Sequence, residues 1–299
     1  MGVVWPEWRG IPMTSRTPQL TAFLVANPDT IVCELTSVRG SSPREQGAFM
    51  LVGPRATFGT IGGGALEHMV IEHARRLIAS GRAEEAMDVP LGPEIGQCCG
   101  GRVKVSLHHA DATTRERLVA TVAAEDAALP HVYVFGAGHV GRALAQILAL
   151  LPVHLEVIDT RREELDLLAD GIAAQAVAMP EAVVRSAPQG SSYVILTHDH
   201  ALDFLIAQEA LARTDAPYIG MVGSRTKRAK FASWFKAGGG DDGALDRLVS
   251  PIGQQGLGDK RPQVIAALAA AEIMVHIGQR EAEIAWVRAP KSKGVAIGR

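Results

Sequence analysis

The run "VYVFGAGHVGRAL", residues 132–144, limits the fold of this chain more than any other stretch. A short apolar segment meets Gly136, Gly138 and Gly141 in a G-x-G-x-x-G spacing, and an amphipathic segment begins at once. That order predicts a strand, a tight turn and a helix. The first glycine makes the turn, the second lets a phosphate approach the backbone, and the third permits close helix–strand packing. Asp159 ends the next strand-like run, "VHLEVID", 18 residues past Gly141, where an acid can accept a ribose hydroxyl. The N–H groups and partial positive charge at the start of the helix favour a phosphate there. His139 lies inside the same turn and joins the candidate binding residues.

The rhythm set at residue 131 continues. "SYVILT", "ALDFLIAQEALART", "PYIGMVG" and "RTKRAKFASWFKAG" alternate strand and helix patterns, and "RPQVIAALAAAEIMVHIG" is a closing helix with Pro262 in its first turn. Strands alternating with helices of this length predict a doubly wound parallel sheet of Rossmann type over residues 128–280. The glycine-rich stretch 238–243 reads as a break within it, and residues 281–299 as a loose tail.

The first part of the chain has a different pattern. "IVCELTSV", "AFMLV", "ATFGTI" and "RVKVSLHH" read as strands, while Leu66, Met69, Val70, Ala74, Leu77 and Ile78 mark one face of a helix that Gly81 ends. Residues 15–115 are therefore expected to form a mixed α/β unit, with the Ala-rich stretch near 111–129 as a connecting helix. The whole is an α/β protein: an N-terminal mixed domain followed by a C-terminal parallel sheet.

Composition narrows the function. With 299 residues and 47% hydrophobic content, the chain can bury the cores of two domains. A formal net charge of −2 argues against general nucleic-acid binding and against attraction to anionic membranes. Three cysteines make no disulfide framework, and with no apolar run near the length of a membrane span, a cytoplasmic protein is expected.

Several further stretches can carry chemistry. "TIGGGALEH", residues 60–68, is a second glycine-rich entry to a helix, either an anion cradle or a structural turn. In "VGSRTKRAKF", Arg225, Lys227 and Arg228 crowd a helix start where cations oppose the helix dipole; they hold an anionic ligand or form a solvated basic face. "LTHDHALD" carries His198, Asp199, His200 and Asp203 at a strand end, with spacing that does not match a binuclear metal set. His68 and His73 stand five residues apart on a helix, on different sides, and so cannot share one metal.

"GPEIGQCCGGRV", residues 92–103, sets Cys98 beside Cys99 between glycines, whereas Cys33 sits among apolar strand residues and reads as core. Adjacent cysteines suit a tetrahedral zinc site poorly. A single exposed thiolate, acting as nucleophile or soft-metal ligand, is the better expectation, and a redox-active vicinal pair is an alternative.

In one order, "GTIGGGALEH", "GPEIGQCCGGRV", "VFGAGHVG", "LTHDH", "IGMVGSRTKR" and "PIGQQGLGDKRPQVIAA" resemble the xanthine dehydrogenase accessory protein family, XdhC/CoxI, over residues 18 to 280. The chain departs from the family where many relatives carry Thr-Pro-Glu-Glu-Ile; here Arg261-Pro262-Gln263-Val264-Ile265 stands instead. The resemblance implies a non-enzymatic chaperone. It would bind the molybdenum cofactor, hold it while a cysteine desulfurase replaces an oxygen with sulfur, and deliver it to apo-xanthine dehydrogenase. Molybdenum cofactor biosynthesis proteins and a second copy of the chain are its expected partners. Matching positions are Gln97, Cys98, Cys99, Gly100 and Gly101, with Cys99, or else Cys98, contacting molybdenum. Gly136, Gly138, His139, Gly141, Asp159 and Arg225 complete the expected cofactor-binding set, and a nucleotide is a second candidate for the Rossmann site. The rival reading is an NAD(P)-dependent oxidoreductase using Gly136–Gly141.

Overall fold

The computed structural model describes residues 15–92, 100–253 and 258–288, with side chains through 283. Gln97, Cys98 and Cys99 lie outside the described residues. The chain divides into two compact units, the first spanning Ser15–Ala127 and the second beginning at Ala128.

The first unit is a five-stranded antiparallel sheet in the order β3-β2-β1-β5-β4, built from β1 (Ile31–Arg39), β2 (Phe49–Val52), β3 (Thr57–Gly59), β4 (Glu84–Pro90) and β5 (Arg102–His109). Alternation along the strands decides which helix covers which face. Ile31, Cys33 and Leu35 of β1 pack with Val103, Val105 and Leu107 of β5 against Leu66, Val70, Ala74 and Leu77 of α2 (Gly64–Ser80). Val32 and Leu51 point the other way, into Leu20, Phe23 and Leu24 of α1 (Arg16–Ala26) and Leu118 and Val122 of α3 (Ala112–Ala127).

The helix α3 thus belongs to this unit, which runs to Ala127 rather than ending at 115. Polar contacts fix it as firmly as apolar ones. Asp126 of α3 accepts from the N–H and hydroxyl of Thr17 at 2.8 and 2.6 Å, capping α1, while Arg115 donates to Leu24 and Pro28 carbonyls beyond the other end. Cys33 is fully buried, as its neighbours predict, and burial pushes its thiol up to about 12.

The second unit is a six-stranded parallel sheet in the order β11-β10-β9-β6-β7-β8. Its strands are β6 (His131–Phe135), β7 (His154–Asp159), β8 (Ala174–Ala176), β9 (Ser192–Ile195), β10 (Ile219–Met221) and β11 (Leu248–Val249). Two crossovers lead outward from β6 on one side, and the chain then returns to pair β9 with β6 on the other. This is the doubly wound Rossmann order, with its switch point between β6 and β9. Val132 and Val134 face α4 (His139–Leu148) and α10 (Pro262–Arg288), while Tyr133 and Phe135 face α6 (Pro180–Ser186), α7 (His200–Ala212) and α8 (Arg225–Ala237). Two single-turn helices, α5 (Arg162–Leu165) and α9 (Asp242–Leu245), fill connections.

The loose tail expected from residue 281 does not begin there. The helix α10 continues to Arg288, because Gly278 interrupts no packing and good helix formers follow it. Among the described residues no helix is long and apolar enough to cross a membrane.

Candidate functional site

The carboxyl ends of β6, β7, β9 and β10 define one edge of the parallel sheet, and the switch point between β6 and β9 lies at its centre. Ligands of doubly wound sheets bind at such a point. Here β6 leads into Gly136–Gly138 and then α4.

The three glycines do different work. Gly136 has φ of 112°, and a Cβ on it would stand 2.4 Å from the Leu196 carbonyl oxygen of the β9 end. A Cβ on Gly141 would stand 1.9 Å from the Gly136 carbonyl oxygen. These two positions are fixed by packing. Gly138 is different: its backbone is one any residue adopts, φ −67° and ψ −172°, and a Cβ there meets nothing within 4 Å. No internal contact demands glycine at 138, so the bare backbone leaves open space at the start of α4. The helix has no side-chain cap and no acid in its first turn, so its N–H groups and dipole are not neutralised from within. His139 is exposed beside it.

Asp159 ends β7 and is buried. Its Oδ2 accepts from the Ala137 N–H at 2.8 Å and from the Arg161 guanidinium at 3.2 Å. Its Oδ1 accepts from the Arg161 N–H at 3.0 Å and from Arg161 Nε at 3.2 Å. Burial alone would raise this carboxyl; the hydrogen bonds from Arg161 and Ala137 outweigh it and hold the group below the usual carboxylate range. The ribose acceptor expected at Asp159 is therefore, in this structure, a brace for the glycine turn. Arg142 extends the brace, donating to the Ala137 carbonyl and to Glu164, both at 2.7 Å. Neither Arg161 nor Arg142 was singled out from the sequence. Arg161 had one available signal, its position two residues past the strand-ending acid.

The "LTHDH" loop leaves β9. Asp199 caps α7 by accepting from the Ala201 N–H, and buried Asp203 accepts from the Thr197 N–H at 3.0 Å and its hydroxyl at 2.7 Å. Asp203 also forms an ion pair with Lys227, itself buried and bonded to the Val222 carbonyl. The pair ties the loop after β9 to the loop after β10. His198 and His200 are exposed, and among the described residues no group of three or more His, Cys, Asp or Glu side chains is placed to hold a metal ion.

The basic cluster resolves in the same way. Lys227 is committed to Asp203, Arg228 donates to the Leu248 and Ser250 carbonyls, and Ser224 caps α8. Arg225 alone of the three is exposed.

In the N-terminal unit the "TIGGG" turn is not an open cradle. Glu67 Oε1 accepts from the N–H groups of Ile61 and Gly63, each at 3.0 Å, and from the Thr60 hydroxyl. Burial opposes the charge of Glu67, but these bonds hold its carboxyl below the usual range. The histidines of the same helix have local partners: His68 Nδ1 lies 2.8 Å from the Gly64 carbonyl, and His73 Nδ1 lies 2.7 Å from Glu85. The cysteine segment springs from this unit's β4–β5 connection. Its base is pinned by Leu91, whose N–H donates to Gly101 at 2.8 Å and whose carbonyl accepts from Gly100 at 2.9 Å. Gly101 runs so close to Ser41 that a Cβ would stand 2.1 Å from the Ser41 carbonyl oxygen.

An uncapped glycine turn at the switch point of a doubly wound sheet defines a protein of the Rossmann class. The chain's matches are more particular. Residues 132–273 match the model of the XdhC Rossmann domain, and residues 26–89 that of the XdhC and CoxI family. The chain belongs to the XdhC/CoxI family. It is 29% identical over 260 residues to the uncharacterized protein YqeB of Escherichia coli (strain K12), covering 81% of this chain and 42% of that protein. The chain thus spans less than half the length of that relative. A solved structure described as a xanthine dehydrogenase from Bacillus halodurans superposes with a TM-score of 0.74 at 18% identity, covering 89% of this chain and 96% of that one. It shows the same fold.

Proposed function

We propose that the chain is a maturation factor for xanthine dehydrogenase that binds the molybdenum cofactor, holds it during sulfuration by a cysteine desulfurase, and delivers it to the apoenzyme. Family membership supports the maturation role. The observation that carries the binding role is the start of α4, where among the described residues nothing lies within 4 Å of a Cβ placed on Gly138.

The residues fit the cofactor's chemistry at its phosphate end. Open N–H groups above Gly138 and the exposed guanidinium of Arg225 are donors suited to a phosphate. When bound, the cofactor supplies a molybdenum centre whose terminal oxygen is exchanged for sulfur. Cys98 or Cys99 supplies the soft thiolate such a centre prefers, with Cys99 favoured because Gly100 follows it. The pinned base at Leu91 and Gly100–Gly101 fixes where that segment leaves the sheet. In this reading the protein works as a homodimer in the cytoplasm and meets the cofactor's biosynthetic proteins upstream. It turns nothing over.

Metal and pterin analysis of protein purified from cells that make the cofactor tests the proposal. Near-stoichiometric molybdenum and pterin are expected, with a marked loss in Cys98→Ala or Cys99→Ala. Protein free of both defeats the binding role. Unchanged loading in both variants defeats the thiolate assignment alone.

A further inference from the structure

The fingerprint that names a dinucleotide fold contains, in this chain, an arginine that occupies its ribose-reading carboxylate. An ionised carboxylate offers about four acceptor positions on its two oxygens. At Asp159 four donors already fill them: the N–H groups of Ala137 and Arg161, and two nitrogens of the Arg161 guanidinium. The carboxylate that would read the adenosine ribose in a nicotinamide enzyme has no acceptor left. A ribose placed there would lose its partner, and its hydroxyls would meet a guanidinium that cannot accept a hydrogen bond. Each ribose hydroxyl could accept from the guanidinium but would find no carboxylate oxygen for its own proton, and a donor left without an acceptor costs affinity.

Arg161 is held in this pose from two sides. Glu164 lies 3.4 Å from its NH1, and Glu164 is itself anchored by Arg142 at 2.7 Å, which reaches back to the Ala137 carbonyl. The glycine turn, the β7 end and the first turn of α5 are thus one hydrogen-bonded frame. Asp159 is nearly inaccessible, whereas the side chain of Arg161 is 29% exposed. The guanidinium therefore lies over the carboxylate rather than under it.

We infer that Arg161 is a specificity residue: it occupies the carboxylate that would read a ribose diol beside the glycine turn, so the site takes a phosphate-terminated ligand lacking that diol and disfavours NAD(H). The inference rests on the reading of the α4 start as the phosphate end of the cofactor site, and it deepens that reading by naming what is kept out. A pterin phosphate has the accepted chemistry and NAD(H), with its free ribose diol, does not.

The test is a fluorescence titration with NADH of the wild type, Arg161→Met, Arg161→Lys and the double variant Arg161→Met with Gly138→Val. Methionine keeps the aliphatic stem and removes the donors; the Ala137 and backbone 161 bonds to Asp159 remain to hold the turn. Lysine restores a single donor group. Wild type should show no saturable binding into the millimolar range. Arg161→Met should bind NADH at least about tenfold more tightly, the scale of regaining one charge-assisted hydrogen bond. Arg161→Lys should fall between them, and the Gly138→Val double variant should lose the gain. A purely structural role for Arg161 predicts loss of stability with no gain of binding. Saturable NADH binding by wild type, no gain in Arg161→Met, or a gain that survives Gly138→Val would each overturn the inference. The molybdenum and pterin content of wild-type protein is measured separately, so failure of the cofactor reading and failure of this one are told apart.

Discussion

Each unit of this protein carries a glycine-rich entry to a helix, and the two are built to opposite ends. In the N-terminal unit, the N–H groups of Ile61 and Gly63 converge on Glu67, four residues into the same stretch as Gly63. The anion that such a turn attracts is supplied by the chain itself. In the Rossmann unit, Gly138 opens α4 with no side-chain cap and no acid in the first turn, and the nearby acid, Asp159, braces the turn from below. Two glycine-rich helix entries thus differ by where one carboxylate falls. Glu67 lies on its own helix and folds back onto the N–H groups; Asp159 lies on a neighbouring strand and is drawn off by Arg161. The first is capped by its own acid, and the second keeps an uncapped helix start.

The largest effect should come from the two outer glycines of the Rossmann turn. Gly141→Ala places a Cβ 1.9 Å from a backbone oxygen, with no flexible neighbour to yield. A loss of about 3 kcal/mol or more is expected, since relief requires moving α4 off β6. Gly138→Ala, three residues away, should change stability by no more than about 0.5 kcal/mol, because its backbone is ordinary and its surroundings empty. Denaturant titration of the two variants separates the packing glycine from the unencumbered one. Equal losses would remove the contrast on which the open site rests.

A smaller effect should convert the closed turn toward the open one. Glu67→Ala strips three hydrogen bonds from the start of α2 and should destabilise the N-terminal unit by about 2 kcal/mol. The vacated N–H groups should then draw phosphate, so added phosphate should raise the variant's unfolding midpoint more than the wild type's. The acid limb should change as well. The folded carboxyl of Glu67 lies below its unfolded value, so its stabilisation is present above about pH 4 and fades as pH falls through the lower, folded value. In Glu67→Gln that part of the acid limb should flatten. A phosphate-insensitive Glu67→Ala would show that the turn is not a cradle even when emptied.

How far the sequence reached follows the same division. The parallel sheet was legible because alternation of apolar runs, turn glycines and helix periods is local, and tertiary packing merely enforces it. The roles of Gly136 and Gly141 were legible for the same reason. The fates of Asp159, Lys227 and Glu67 were not, since each depends on which partner wins a carboxylate or ammonium across the fold. "SRTKR" reads as three cations at a helix start, yet Lys227 turns inward to Asp203 and Arg228 to two carbonyls. Only burial separates them. The helix α3 looked like a linker because its apolar face is thin, and Asp126 and Arg115 hold it through polar contacts that no periodicity reveals.

The smallest effect belongs to Arg225, the cation that packing leaves to solvent. Because α8 is already capped by Ser224 and anchored by the buried Lys227–Asp203 pair, Arg225→Ala should alter stability by less than about 0.5 kcal/mol. Lys227→Ala, two residues further along the same helix start, should cost several times more by stranding Asp203 without its charge partner. If Arg225 holds a ligand phosphate, its removal should instead show in retention: Arg225→Ala should lose bound molybdenum and pterin at a lower salt concentration than wild type, because an exposed charge pair weakens with ionic strength. The two cationic positions of one basic run are then separated by readout, stability for the buried lysine and salt-dependent retention for the exposed arginine. Retention identical to wild type at every salt concentration would return Arg225 to an ordinary solvated surface and leave the start of α4 as the whole of the phosphate site.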